Sequence, residues 1–148
     1  EMQAVLGRLQ LRDLAKTVET RNRNAAILTE GLAGVPGLRV PVVGAGAVHA
    51  YYKLYAYVEP EALRTGWDRD RIMNELNAAG IPVTAGSCSE MYREVAFTSQ
   101  GLGPAAPLPV ARELGDTSLM FQVHPGLSAE ALRAAADVTR ELLLAAGR

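Results

Sequence analysis

From Met2 to about Leu32 the chain carries a helical pattern with no proline in it. That is long for a globular helix, where roughly 8–20 residues is usual. Its apolar stripe also changes face. Met2, Val5, Leu6 and Leu9 share one side, whereas Leu11, Leu14, Val18, Ala25, Leu28 and Leu32 centre about 140° away at about 100° per residue. Such a stripe means either that the helix serves two cores or that it breaks near Gln10–Asp13. The first alternative leaves Met2, Val5, Leu6 and Leu9 to pack on something outside this chain and predicts that they are exposed within it. No cap or lead-in precedes Met2, so a trimmed segment or a whole domain is expected upstream.

Beyond the helix, Gly34, Pro36, Gly37 and Pro41 punctuate a loop that has room for a short strand at Leu38–Val40. Ala50 to Glu59 reads as the clearest strand. Tyr51, Lys53, Tyr55 and Tyr57 share one face of it; Tyr52, Leu54, Ala56 and Val58 share the other. Asp68 is placed to cap a helix carrying Ile72, Met73, Leu76 and Ala79, and Gly80 to end it. A short strand at Ile81–Thr84 is followed by a long loop, 85–107, with one helical turn around Glu90–Val95. Pro109 suits the first turn of a short helix to Leu114, and Ser118–Val123 reads as a buried strand. Ser128 caps a last helix with Ala131, Leu132, Ala135, Val138, Leu142 and Leu143 inward. The order predicts a small sheet packed by helices, in the α+β or α/β class.

At 148 residues, 49% hydrophobic and 21% charged, the chain suits one globular domain with a real core. The 15 basic and 16 acidic residues nearly cancel and form no long like-charge run, which signals neither a nucleic-acid surface nor a basic membrane patch. No apolar run reaches the roughly 18 residues of a membrane span. The single cysteine, Cys88, leaves no internal disulfide framework and suits a reducing cytoplasm.

Several residue groups invite chemical readings. Val42-Val43-Gly44-Ala45-Gly46-Ala47-Val48 imitates a dinucleotide-binding turn, but His49 stands where the third glycine belongs and a strand follows where a helix start should cradle the phosphates. His49, His124, Cys88 and Glu90 show no metal-ligand spacing. Cys88 lacks the base and electropositive setting that a catalytic thiolate needs. Lys16 and Lys53 are the only lysines, and neither has the desolvated or cationic surroundings of a Schiff-base amine. His124-Pro125-Gly126, between a buried strand and a helix start, is either a ligand-contacting corner or a plain turn with a surface histidine.

Taken in order, these segments resemble one family. Met2-Gln3-Ala4-Val5-Leu6-Gly7-Arg8-Leu9-Gln10-Leu11 resembles the helix with which DegT/DnrJ/EryC1/StrS aminotransferases leave their large domain. Gly80-Ile81-Pro82-Val83-Thr84-Ala85-Gly86-Ser87-Cys88-Ser89-Glu90-Met91-Tyr92 is similar to a segment of their C-terminal domain. The similarity is to members acting on nucleotide-linked 4-keto-6-deoxy sugars. Leu108-Pro109-Val110-Ala111-Arg112-Glu113-Leu114, Ser118-Leu119-Met120-Phe121 and His124-Pro125-Gly126-Leu127-Ser128 match the family's closing pattern.

The resemblance implies the C-terminal small domain of a fold type I aminotransferase. Residues 1–33 would form a long inter-domain helix and 34–148 the small domain, with the catalytic large domain missing upstream. It further implies that pyridoxal phosphate in the parent enzyme is held by a lysine of that large domain. Amino transfer would run from glutamate to a nucleotide-linked keto sugar in a cytoplasmic homodimer. Residues 1–148 would supply no catalytic residue, bind no cofactor or metal, and be inactive alone. By the same resemblance His124, Gly86, Ser87, Glu90 and Tyr92 belong to the substrate side of the site. Two other readings compete: a stand-alone small nucleotide-binding domain using Gly44–Val48 or Lys53, and an interaction domain working through its first helix. The missing cofactor-lysine motif disfavours the former, and the absence of a heptad repeat disfavours the latter.

Overall fold

The structure is a computed structural model describing residues 1–148. The initial helical run is two helices, α1 (Met2–Arg12) and α2 (Leu14–Leu32). They are separated at Asp13, whose φ of −98° and ψ of 2° leave the helical range. The break is one residue wide, because the Asp13 amide still reaches back to the Gln10 carbonyl (3.2 Å) and the Asp13 carbonyl already accepts from Thr17 (2.9 Å). The change of face is real as well. Helix α1 buries nothing, with Met2 80%, Val5 58%, Leu6 55% and Leu9 49% exposed, whereas α2 buries Asn24, Ala25, Leu28 and Leu32.

The remaining elements are β1 (Leu38–Arg39), β2 (Leu54–Val58), α3 (Arg69–Ala78), β3 (Val83–Thr84), α4 (Val95–Thr98), α5 (Pro109–Thr117), β4 (Ser118–Phe121) and α6 (Ala129–Ala146). Single 3₁₀ turns occupy Pro60–Ala62 and Met91–Arg93. The four strands form one antiparallel sheet in the order β1-β2-β4-β3. Helices packed on an antiparallel sheet make this an α+β fold.

Strand register sorts the side chains onto two faces. Leu38 pairs with Val58, Leu54 and Val83 both pair with Phe121, and Ala56 pairs with Leu119. All of these are buried in one core cluster with residues of α2, α3 and α6. Each large side chain buried there stabilises the fold by about 1.5–3 kcal/mol. The other face carries Arg39, Tyr55, Tyr57, Thr84, Ser118 and Met120, and α5 packs beside β2.

Two caps sit where the sequence places them. An Asp68 carboxylate oxygen accepts from the Arg71 amide (2.8 Å), and the Ser128 hydroxyl accepts from the Ala131 amide (3.1 Å). Gly80 ends α3 with φ +82°.

Other expectations are corrected. β2 begins at Leu54 and not Ala50, because Tyr51 takes φ +43° and breaks the extended run. β3 shrinks to Val83–Thr84, β4 ends at Phe121, and α5 runs on to Thr117. The inward face of α6 is Leu132, Ala136, Thr139, Leu143 and Ala146; Ala131 is exposed, and Ala135, Val138 and Leu142 are only half-buried. The helix is rotated so that Ala136 meets Gly31 of α2, where an added Cβ would stand 2.5 Å from the Ala136 methyl. A close crossing needs small residues at the contact, and that need overrides the simplest apolar stripe.

Candidate functional site

The sequence singled out two groups of residues, and the sheet sets them at opposite ends of β4. Thr84 pairs with Met120, so the chain leaving β3 passes Ser118, and the Ser118 hydroxyl donates to the Ala85 carbonyl. His124 lies six residues farther along, a separation of roughly 20 Å in extended chain.

At the Ser118 end, Gly86 adopts φ +91° and lies flat on the Tyr55 ring. A Cβ there would be 2.9 Å from Tyr55 Cε1 and 3.3 Å from Ser118 Oγ. Ser87 is exposed. Ser89 seats against Gly115 of α5 with no room for a side chain between them. The Arg69 guanidinium joins the same region from α3, donating to the Gly115 and Ser118 carbonyls at 3.0 Å each.

Glu90 and Tyr92 then close the loop. The Tyr92 hydroxyl donates to a Glu90 carboxylate oxygen (2.5 Å) and accepts from the Leu108 amide (3.0 Å), while Arg93 donates to the other Glu90 oxygen (3.1 Å). The Tyr92 hydrogen bond, then Arg93, hold the Glu90 carboxyl below its ordinary range. The Glu90 carboxylate in turn raises Tyr92. With Arg112, Pro104 and Thr98 these groups border a polar basin of about 400 Å³. Cys88 donates to Glu94 (3.3 Å), and that bond, then desolvation, raises its thiol. A thiol held protonated by a carboxylate is not a nucleophile.

At the other end, His124 is exposed, its Nδ1 accepting from the Gly126 amide (3.2 Å). Two residues one turn apart on α2 fix this corner, and sequence reading missed both. Asn24 is fully buried; its amide donates to the carbonyls of Val123 (3.4 Å) and His124 (3.0 Å). Arg21 donates to the carbonyls of Tyr51 and Tyr52 (3.2 Å each). One face of α2 thus pins both the exit of β4 and the approach to β2. Their signal was only the polar spacing Arg21–Asn24 beside an apolar stripe, which any solvated helix edge shows.

Between the two ends runs a groove of about 320 Å³ on the outer face of β2, lined by His49, Tyr51, Lys53, Tyr55 and Tyr57 and roofed by Pro41, Val42 and Val43. The sequence placed these side chains on one face but assigned them no role beyond weighing Lys53 as an amine. His49 Nδ1 accepts from the Tyr51 amide (2.8 Å), and the two rings lie 4.3 Å apart. The loop Gly44–Val48 is exposed and leads into no helix, so it forms no dinucleotide cradle. No group of three or more His, Cys, Asp or Glu side chains could hold a metal ion, and no helix is long and apolar enough to cross a membrane.

Neither lysine fits a seat for pyridoxal phosphate. Lys16 shares a shallow, polar dip with Glu19, Thr20 and Arg23 on α2. The groove around Lys53 has no arginine, serine, threonine or carboxylate in its lining. With Lys53 taken up in a covalent link, no cation would remain there for the phosphate and no acid for the pyridine nitrogen.

Comparison with curated proteins gives no match. Among solved structures, an aminotransferase from Psychrobacter cryohalolentis is 40% identical, with a TM-score of 0.90 over 98% of this chain and 39% of its own. The aminotransferase TlmJ from Streptoalloteichus hindustanus is 26% identical, with a TM-score of 0.78 over 94% of this chain and 35% of its own. DesV from S. venezuelae, solved in complex with a ketimine intermediate, is 25% identical, with a TM-score of 0.82 over 96% of this chain and 36% of its own. The chain therefore spans little more than a third of the length of the structures it matches. Over residues 1–139 it also fits the sequence model of one family. The chain belongs to the DegT/DnrJ/EryC1/StrS aminotransferase family.

Proposed function

We propose that residues 1–148 are the C-terminal domain of a pyridoxal-phosphate-dependent aminotransferase that passes an amino group, from glutamate, to a nucleotide-linked keto sugar. The observation that carries this reading is the family match over residues 1–139, combined with coverage of nearly all of this chain but only 39% of a 40%-identical aminotransferase. Pyridoxal phosphate, when bound, supplies the electron sink for amino transfer. The lysine that holds it lies outside residues 1–148, since neither Lys16 nor Lys53 has a fitting seat. The domain's own work is to present substrate-side walls: the Gly86–Tyr92 loop with Ser87 and Glu90 at one end of the sheet, and His124 at the other. Alone the chain is inactive; in the parent enzyme it acts within a homodimer in the cytoplasm. The exposed Met2, Val5, Leu6 and Leu9 of α1 support a covering neighbour in the same polypeptide.

Borohydride trapping tests the assignment. The chain is mixed with pyridoxal phosphate, reduced, and mapped by peptide mass spectrometry. No specific adduct at Lys16 or Lys53 is expected. A stoichiometric adduct at Lys53 would overturn the reading, because the chain would then carry its own cofactor lysine.

A further inference from the structure

Arg69 opens α3, yet its side chain is only 14% exposed and crosses to the junction of α5 and β4. There Nη1 donates to the carbonyls of Gly115 and Ser118 at 3.0 Å each, while Nε donates to Asp70 (2.7 Å). Gly115 stands in the last turn of α5, where helix carbonyls have no partner within the helix. Ser118 pairs with Tyr57 on one side, but on the other β3 stops at Thr84, opposite Met120. The start of α3 is itself fixed, by the Asp68 cap on the Arg71 amide (2.8 Å) and by the Arg71 guanidinium 4.1 Å from the Trp67 ring centre.

The same two residues seat the loop that follows β3. Ser89 rests against Gly115, where an added Cβ would have no room, and the Ser118 hydroxyl donates to the Ala85 carbonyl. One guanidinium thus holds both anchor points of the loop, although its own hydrogen bonds go to neither Ala85 nor Ser89. A planar fork fixes the spacing of the groups it joins, whereas a lysine ammonium is a point charge on a flexible stem. We infer that Arg69 is a positioning residue: it fixes Gly115 against Ser118 and so sets where the loop presents Ser87 and Glu90 to the keto sugar. This deepens the aminotransferase reading and rests on it for the role of the loop. A positioning role of this kind weakens the complex with the amino acceptor when it is lost and leaves the amino donor's half of the reaction alone.

Cys88, the single cysteine, is exposed and lies between Ala85 and Ser89, so it reports on the loop directly. A nitroxide attached to it in the 148-residue chain should gain a fast-moving spectral component in Arg69→Met, well below the urea unfolding transition. Asp70→Asn removes an ion pair whose carboxylate is 67% exposed but spares both carbonyl bonds, and should leave the spectrum unchanged. In the parent aminotransferase, Arg69→Met should raise KM for the nucleotide-linked keto sugar about tenfold, with kcat and the KM for glutamate changed less than about twofold. General damage to the fold would impair both halves of the reaction together. Arg69→Lys keeps the charge and loses the fork, so it should fall between parent and Arg69→Met in both readouts. An unchanged Cys88 spectrum in Arg69→Met, an equally mobile label in Asp70→Asn, or equal rises of KM for sugar and glutamate would each overturn the proposal. Such a result with clean lysines in the trapping experiment rejects only the role of Arg69. An adduct at Lys53 rejects the aminotransferase reading, and the substrate role of the loop with it.

Discussion

Replacing Gly86 with alanine separates backbone strain from steric contact at the loop most closely fitted to the sheet. At φ +91° an L side chain is strained, which costs about 1–2 kcal/mol. The new methyl would also lie 2.9 Å from Tyr55 Cε1, where carbon contacts settle at roughly 3.5–4.0 Å. The loop cannot simply lift away, because the Ser118 hydroxyl holds Ala85 and Ser89 is seated on Gly115. Overpacking of this kind costs about 1–3 kcal/mol, and the loop's partial exposure puts the present case at the low end. The sum is about 2–4 kcal/mol. With a urea m-value of about 2 kcal/mol/M, the unfolding midpoint falls by about 1–2 M at unchanged m. Gly101 is the control: its φ is +66°, yet nothing lies within 4 Å of an added Cβ. Gly101→Ala should therefore show strain alone, about 1 kcal/mol. If Gly86→Ala costs no more than Gly101→Ala, the fit of Gly86 on Tyr55 does not hold the loop, and the placement of Ser87 and Glu90 derived from it falls too.

Two further outcomes follow from the same geometry. Gly31→Ala, which in a free helix gains about 1 kcal/mol, should instead destabilise by about 1–2 kcal/mol, because its methyl would meet that of Ala136 at 2.5 Å. Pairing it with Ala136→Gly should recover part of the loss, and a Gly31→Ala variant more stable than the parent would show that the α2–α6 crossing is looser. The Tyr92–Glu90 clasp should depend on pH in both directions. Glu90 is depressed in the fold, so its contribution is complete above its unfolded value of about 4.3 and is lost as pH falls through the folded value. Tyr92 is raised, so its contribution is complete below about 10 and is lost as pH rises through the folded value. Hydrogen exchange at the Leu108 amide, bonded to the Tyr92 hydroxyl, reads both limits. Equal protection in Tyr92→Phe across that range would refute the clasp.

Helices were legible in the sequence where one local rule decides them. Asp68 and Ser128 cap what they should cap, because a side-chain oxygen three residues from an orphan amide needs no tertiary information. The strands were legible in kind but not in length. A run from Ala50 to Glu59 alternates well, yet His49 and Arg21 hold Tyr51 at positive φ, and neither bond is visible from alternation. The inward face of α6 was caught only in part, with Leu132 and Leu143 buried, Ala135, Val138 and Leu142 at the edge of the core and Ala131 exposed, for a related reason. Four alanines near Ala136 make the apolar stripe broad, and what selects among them is Gly31 on another helix, 105 residues away in sequence.

The candidate site shows the same division more sharply. Gly86 to Tyr92 belong to one loop, and their neighbourhood is local: Tyr92 reaches Glu90 across two residues. The position of His124 relative to them depends on the sheet, and antiparallel register sets it toward the other end of β4. What joins the ends is the outer face of β2. Tyr55 touches Gly86 there, and Arg21 and Asn24 on one turn of α2 pin Tyr51 beside the turn that presents His124. Alternation alone put Tyr51, Lys53, Tyr55 and Tyr57 on one face. It could not tell whether that face meets helices or lies open, because both faces of this strand are rich in large side chains. Only the pairing of Leu54 with Phe121 and Ala56 with Leu119 settles which side is core, and so leaves the tyrosines as the wall of a groove.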